Sequence, residues 1–592
     1  MNEASKRSFL ALALAATVSA CASRSQEIPL EALAIPPQKS DALAPFRHRG
    51  PAVAAGEGGP ARFARAVHRA FDVRRAHELV AFIEARYRAP ANQGYEEVLE
   101  RLAAELRAGG FGGDPRFELF EITTPLESRT WENPTARAPA QAWTPESGRI
   151  ALRAGDSEEV VLHAFSAPAD RDRVILPIHC PSAEVEGPIA LGLDELAEGE
   201  ILVIDAAPRR SVLARAHALG GRAVVSSYLE SYNVDPRGEG RERDAIGFHS
   251  LPAGTPLPVI MISPRSHERI EEALASDPLA RLAIESRVRL DSRELRTLVA
   301  VVRGSDRPGE AVAIASHVQE PGACDNASGV AGLLESALGL AALLRSGELK
   351  PPSRSLVFLW GDEFRQSTAW LERTDMRPIA GLSSDMTGES RERTGAILLL
   401  ERMPDPAALL PLPPDEHTPW GRREVAADSL LPNGVAVIAR CALADVAQIE
   451  GGMHAGAEGE SAGTAGGWET AEHPYEGGSD HDVFIERKVP AALFWHFTDF
   501  AYHTSLDRLE MVDVAEMRRT AAAILSTALA LADPKPTDLD RYLRSLNHEQ
   551  NLRVAAAEER GQAELANAWR EWCKGARQWL RVECLRLPES DR

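Results

Sequence analysis

The chain has 592 residues, 44% of them hydrophobic and 26% charged, which excludes a disordered polymer and implies two or three structural units. Its formal net charge of −21 excludes the basic surface that nucleic-acid binding needs. An acidic balance is also common in soluble proteins, so the sign decides little else.

Lys6 and Arg7 form a basic start, and Phe9 to Val18 is an apolar run too short to span a bilayer as a mature helix. This is a secretory leader. It ends in Val18-Ser19-Ala20-Cys21, which resembles a bacterial lipobox, with Val18 where Leu is usual. The resemblance implies lipidation at Cys21, and Ala22 after it implies the outer membrane of a diderm cell. Five cysteines remain, an odd number, and Cys573 and Cys584 would sit ~16 Å apart along a helix, too far for a disulfide.

Pro, Ala and Gly dominate residues 22 to about 60, the composition of a tether. Helical periodicity runs from Asp72 to about Arg86 and from Tyr95 to Arg107, where Gly109-Gly110 stops it, and Phe117 to Thr124 reads as a strand. Residues 180 to about 285 form a separate module. Its strand Gly199–Asp205, helix Ser211–Leu219, stop at Gly220-Gly221 and strand Arg222–Ser226 together resemble the protease-associated domain inserted in several secreted peptidases.

From about residue 295 strands and helices alternate, which predicts a layered α/β core. Strands are expected at 298–302, 311–315, 355–360, 379–384 and 491–497, with helices at 330–344, 364–372 and 513–532. Residues 398–477 read as an irregular, Pro- and Gly-rich excursion. Leu543 to Leu587 is helical, with Trp569, Trp572 and Trp579 on one face. Packing against the body is the simplest use of that face; dimerisation or membrane contact is the alternative.

Open α/β sheets bind ligands beyond the carboxyl ends of their strands. His317, the pair Asp362-Glu363, Asp385 and His503 all follow predicted strands, and Asp325 lies in the turn-rich loop 322–329. Imidazole mixed with carboxylate suits zinc, and one carboxylate can bridge two ions. His454 and His473, in the excursion, read as surface residues.

The segments His317–Gly329, Asp362-Glu363, Asp385–Gly388, Gly478–His481 and His503–Asp507 resemble the co-catalytic zinc aminopeptidase and glutamate carboxypeptidase family, over roughly residues 65–535. That family also includes glutaminyl cyclases and the transferrin-receptor ectodomain. The resemblance implies a three-layer α/β/α sandwich around a mixed, mostly parallel sheet, with the inserted β-rich domain and a C-terminal helical extension. The implied domain order is leader 1–21, tether 22–60, first part of the peptidase domain 61–179, insertion 180–285, catalytic core 286–540 and helical extension 541–592.

It also implies two zinc ions bridged by Asp325, one held by His317 and Asp385 and the other by Glu363 and His503. They would acidify a shared water, Asp362 would act as general base, and Tyr502 would steady the oxyanion. Asp480 and His481 would shape the loop beside the site. The implied activity is a cell-envelope aminopeptidase acting on peptides. A glutaminyl-cyclase-like acyltransferase or a weakened, receptor-like relative is the alternative, and a homodimer is possible in the family.

Two positions depart from the pattern. Gln319 replaces the acid that orients the first histidine, and its side-chain amide is expected to take the ring N–H and weaken the ion by ~10-fold or more. Asp362 stands where Glu is usual, one methylene shorter.

Overall fold

Strands near the middle of the chain contribute alternate residues to two different cores. In the computed structural model, which describes residues 57–154, 159–410, 418, 425–449 and 468–587, Leu356, Phe358 and Trp360 of strand Arg354–Gly361 enter one core, and Val357 and Leu359 the opposite one. The period of two along a strand sends neighbours to opposite faces, so a sheet apolar on both faces must be covered twice. Helices Ala61–Ala70, Val73–Glu84, Ala327–Ser346, Val435–Ile449 and Val514–Ala532 contribute to the first core. Trp370 and Phe484, on Arg365–Arg373 and His481–Glu486, contribute to the second. This is the expected α/β/α sandwich.

The sheet has eight strands, and four adjacent ones at its centre run parallel: Arg354–Gly361, Arg307–His317, Arg377–Ser384 and Ala491–Phe497. Leu295–Val302 and then Phe117–Thr124 extend one edge antiparallel. Ile397–Arg402, antiparallel to Ala491–Phe497, and then Thr470–His473 extend the other. The 398–477 stretch is therefore less irregular than its composition suggests. It supplies two strands and the helix Val435–Ile449, and His473 is buried rather than superficial. His454 and Cys21, with the leader and most of the tether, lie outside the described residues.

A second sheet of seven strands is built from the module and from chain ahead of it. Ala142–Arg153 and Val160–Phe165 join Arg281–Asp291, Ala183–Ala190, Ile201–Ile204, Ala223–Ser226 and Val259–Met261. The long Ala142–Arg153 strand was not read from the sequence; its polar positions and Pro145 interrupt the alternation. A loop of this module reaches the main sheet. Phe248 N–H donates to the His503 carbonyl, Ser505 N–H to that of Ile246, and Asn233 Nδ2 to those of Phe500 and Tyr502.

The C-terminal segment forms two helices, Leu539–Glu559 and Ala563–Leu585, separated at Gly561, which adopts φ 69°. Trp569, Trp572 and Trp579 are all buried in the first core, so their shared face packs on the body. All five described cysteines are free thiols. Among the described residues one helix, Ala327–Ser346, is long and apolar enough to cross a membrane; it lies buried in the core.

Candidate metal centre

The parallel strands end at the same edge, and their last residues begin the site. His317 closes Arg307–His317, Asp362 and Glu363 follow Arg354–Gly361, and Asp385 follows Arg377–Ser384. Loop 322–326 supplies Asp325 because Asp507 fastens it. Asp507 Oδ1 accepts the N–H groups of Ala323 and Cys324 at 3.1 and 2.7 Å, and Oδ2 accepts that of Asp325 at 2.9 Å. Asn326 then caps helix Ala327–Ser346 through Gly329 N–H and also accepts from Met386 N–H at 3.0 Å. Gly329 must be glycine here: a Cβ would lie 2.2 Å from Asn326 Oδ1 and 2.6 Å from the Ser384 carbonyl.

Two groups of three donors result, sharing Asp325. His317 Nε2 lies 3.0 Å from Asp385 Oδ1 and 3.5 Å from Asp325 Oδ1. His503 Nε2 lies 3.1 Å from Asp325 Oδ2 and 3.1 Å from Glu320 Oε2. Ser479 Oγ donates to Asp385 Oδ2 at 2.8 Å and holds that carboxylate in place. Where Glu363 was expected beside His503, the structure places Glu320; Glu363 stands outside both groups. Its charge is nevertheless felt at His317.

Glu320 is not legible as a donor from the sequence, where the acid is expected two residues beyond His317. The acid sits three beyond it, and a left-handed backbone (φ 83°) turns its side chain to the other half of the site. The only sequence signal was an acid next to the anomalous Gln319. Phe364, Met386 and His503 also have positive φ. Four strained positions at or next to candidate ligands match the clustering of backbone strain at functional sites.

Gln319 itself corrects an expectation. His317 Nδ1 bonds the Gln319 main-chain carbonyl at 3.1 Å, while the side-chain Oε1 accepts the Glu363 N–H at 2.8 Å. The ring is oriented by backbone, so loss of the usual acid does not remove the orienting contact.

Asp480 and His481 lie beside the site, both fully buried. Asp480 accepts from Phe364 N–H, Gln366 Nε2 and Ser367 Oγ, at 3.2, 2.7 and 2.7 Å, and so anchors the start of the helix after Glu363. His481 Nε2 pairs with Glu401 at 3.0 Å. Asp362 is buried, with Arg365 Nε 2.9 Å from its Oδ2. Tyr502 stacks on His503, ring centroids 4.0 Å apart, and packs near Tyr232 and Phe497.

Burial drives Asp325 well above the ordinary carboxylate range and the neighbouring Glu320 drives it further. Glu363 is raised by burial, partly opposed by His317. Burial disfavours the charged His503, yet Glu320 and Asp325 carry its pKa to about 10. Carboxylates crowded around two imidazoles are a donor set that divalent ions complete, so these residues fit zinc.

Residues 297–392 match the model of Peptidase family M28. That segment carries His317, Glu320, Asp325, Asp362, Glu363 and Asp385 but not His503. No curated protein matches the chain. Among solved structures, the chain is similar to a zinc aminopeptidase of Bacillus subtilis (14% identity, TM-score 0.48, covering 78% of this chain and 96% of that one). It is likewise similar to a Peptidase M28 precursor of Shewanella amazonensis (16%, 0.49, 80% and 96%) and an aminopeptidase of Aneurinibacillus (15%, 0.45, 79% and 96%). Over residues 297–392, which carry the strand-end donors His317 and Asp385, the chain is similar to Peptidase family M28, and it is a metallopeptidase.

Proposed function

We propose that this protein is a di-zinc aminopeptidase that removes N-terminal residues from peptides. The observation that carries the reading is the pair of donor groups sharing Asp325, with buried Asp362 beside them. His317, Asp325 and Asp385 would hold one ion. Asp325, His503 and Glu320 would hold the second, with Glu363 adjoining. Ions so held supply Lewis-acid polarisation of a carbonyl and acidification of a water.

The chain's own residues supply the remainder. Asp362 takes a proton from the attacking water and returns it to the leaving amine. Burial raises its pKa, which suits a base working near neutrality, while the Arg365 charge opposes that rise and keeps the carboxylate populated. The Tyr502 hydroxyl donates to the developing oxyanion. The module around residues 180–285 acts as a protease-associated insertion that frames access to the cleft. Lipidation at Cys21 would hold the enzyme at the cell envelope.

The test is metal analysis of the purified protein together with hydrolysis of free-amine and N-blocked peptides. About two zinc ions per chain and cleavage restricted to free amines are expected; activity surviving exhaustive chelation would refute the reading. D362N should retain both ions and lose turnover.

A further inference from the structure

A cavity of about 530 Å³ opens beside the metal centre, lined by Gln319 and Glu320 on one side and by Arg129, Arg137 and Arg365 on the other. Arg129 and Arg137 face each other as a registered pair on a two-stranded ribbon, Glu127–Arg129 with Arg137–Pro139. Like charges directly opposite on paired strands repel. Neither arginine makes an ion pair within 4 Å among the described residues, and Glu127 on the same ribbon does not close on them. The ribbon pairs with no third strand and is fixed to the 253 loop of the module, where Ala253 N–H donates to the Arg129 carbonyl and Trp131 N–H to that of Ala253.

Arg365 approaches from the main sheet. Its Nε lies 2.9 Å from Asp362 Oδ2 as an ion pair, yet among the described residues neither Nε nor Nη1, both buried, has a hydrogen-bond partner. A buried guanidinium N–H without an acceptor is costly and uncommon. His179, also lining the cavity, cannot serve as a counter-charge. Burial, with the Arg365 charge adding to it, holds its pKa down at about 4, so the ring is neutral, and its Nε2 meets Ser128 Oγ at 3.1 Å. Three guanidiniums thus line one cavity next to the candidate metal centre, the exposed Arg129 and Arg137 opposite each other and Arg365 with unused buried donors, and they outnumber the carboxylates there, Glu127 and Glu320.

We infer that this cavity is a subsite for a substrate carboxylate, with Arg129, Arg137 and Arg365 as its donors. The inference rests on the peptidase reading and specifies it: the enzyme acts on short peptides bearing either an acidic side chain near the scissile bond or a free C-terminal carboxylate. Guanidinium suits both sources through paired N–H···O bonds. Arg129 and Arg137 are specificity-determining, whereas Arg365 also touches Asp362.

The test compares kcat/KM for alanyl-alanine amide, alanyl-alanine, alanyl-glutamic acid α-amide with its side-chain carboxylate free, and glutamyl-alanine amide. At least one carboxylate-bearing peptide should exceed the neutral amide by roughly tenfold or more, mainly through KM, given the strength of charge-assisted bonds. In R129Q/R137Q that ratio should fall toward one. The free C-terminus against the acidic side chains tells the two sources apart. Equal rates across the panel, or a preference unchanged in the double variant, would overturn the inference.

Calorimetry with glutarate against glutaramide reads the cluster without turnover. Glutarate binding that the double variant weakens, in a protein that cleaves none of the peptides, would support the arginine cluster and sink the peptidase reading. Cleavage without preference and without such binding would do the reverse.

Discussion

Replacing Gln319 by Ala separates two accounts of how His317 is oriented. If the side-chain amide held the imidazole, its removal would cost the 10–100-fold in metal affinity typical of a lost orienting partner. The structure assigns that contact to the Gln319 main-chain carbonyl, 3.1 Å from His317 Nδ1, which Q319A keeps. What Q319A loses is the bond from Glu363 N–H to Oε1, 2.8 Å long and at a residue only 7% exposed. An amide so orphaned costs about 1–3 kcal/mol. That penalty falls on the turn between strand Arg354–Gly361 and helix Arg365–Arg373, and therefore on Asp362 and Glu363. The assay is hydrogen exchange at the Glu363 amide together with chelator competition for bound zinc. Faster exchange at Glu363, with zinc affinity at the His317 group within a few-fold of wild type, is expected. A tenfold or greater loss at the His317 half-site with unchanged Glu363 exchange would refute the assignment.

Three further outcomes follow from other contacts. E320A should lower the affinity of one ion while leaving the other in place, since Glu320 meets His503 but not His317; chelator titrations indistinguishable from wild type would return that role to Glu363 alone. R440A should destabilise the fold by about 3–5 kcal/mol, because it leaves Glu472 and Glu549 buried without the guanidinium that joins helix Val435–Ile449 to Leu539–Glu559; a urea midpoint shifted by less than about 1 kcal/mol equivalent would contradict this. Asp235 is held well below the ordinary carboxylate range, chiefly by Arg241 and also by backbone N–H donors. Its contribution is therefore complete above its unfolded value near 3.8 and is lost as pH falls below it. D235N should flatten the loss of stability between roughly pH 4 and pH 2, and an acid limb identical to wild type would count against it.

The site was legible where the chain's chemistry coincided with its periodicity. His317, Asp362, Glu363 and Asp385 each follow an apolar run with at most two intervening residues, and strands of a parallel sheet leave such residues at one edge. What stayed hidden depended on backbone direction and on contacts between distant segments. Nothing in the order Gln319-Glu320 says that a left-handed turn carries the acid to His503, 183 residues on, or that Gln319 spends its side chain on Glu363. The ribbon arginines were invisible for the same reason. Arg129 and Arg137 are ordinary surface residues in the sequence, and only the strand pairing and the cavity beneath make them a cluster. A charge repeated across a short ribbon costs stability unless something of opposite sign comes between, and the cavity that these two arginines line also holds Glu320 of the candidate metal centre. The proposed carboxylate subsite would thus place substrate choice in the connection between the two sheets, while the donor groups stand at the strand ends and adjoining loops of one of them.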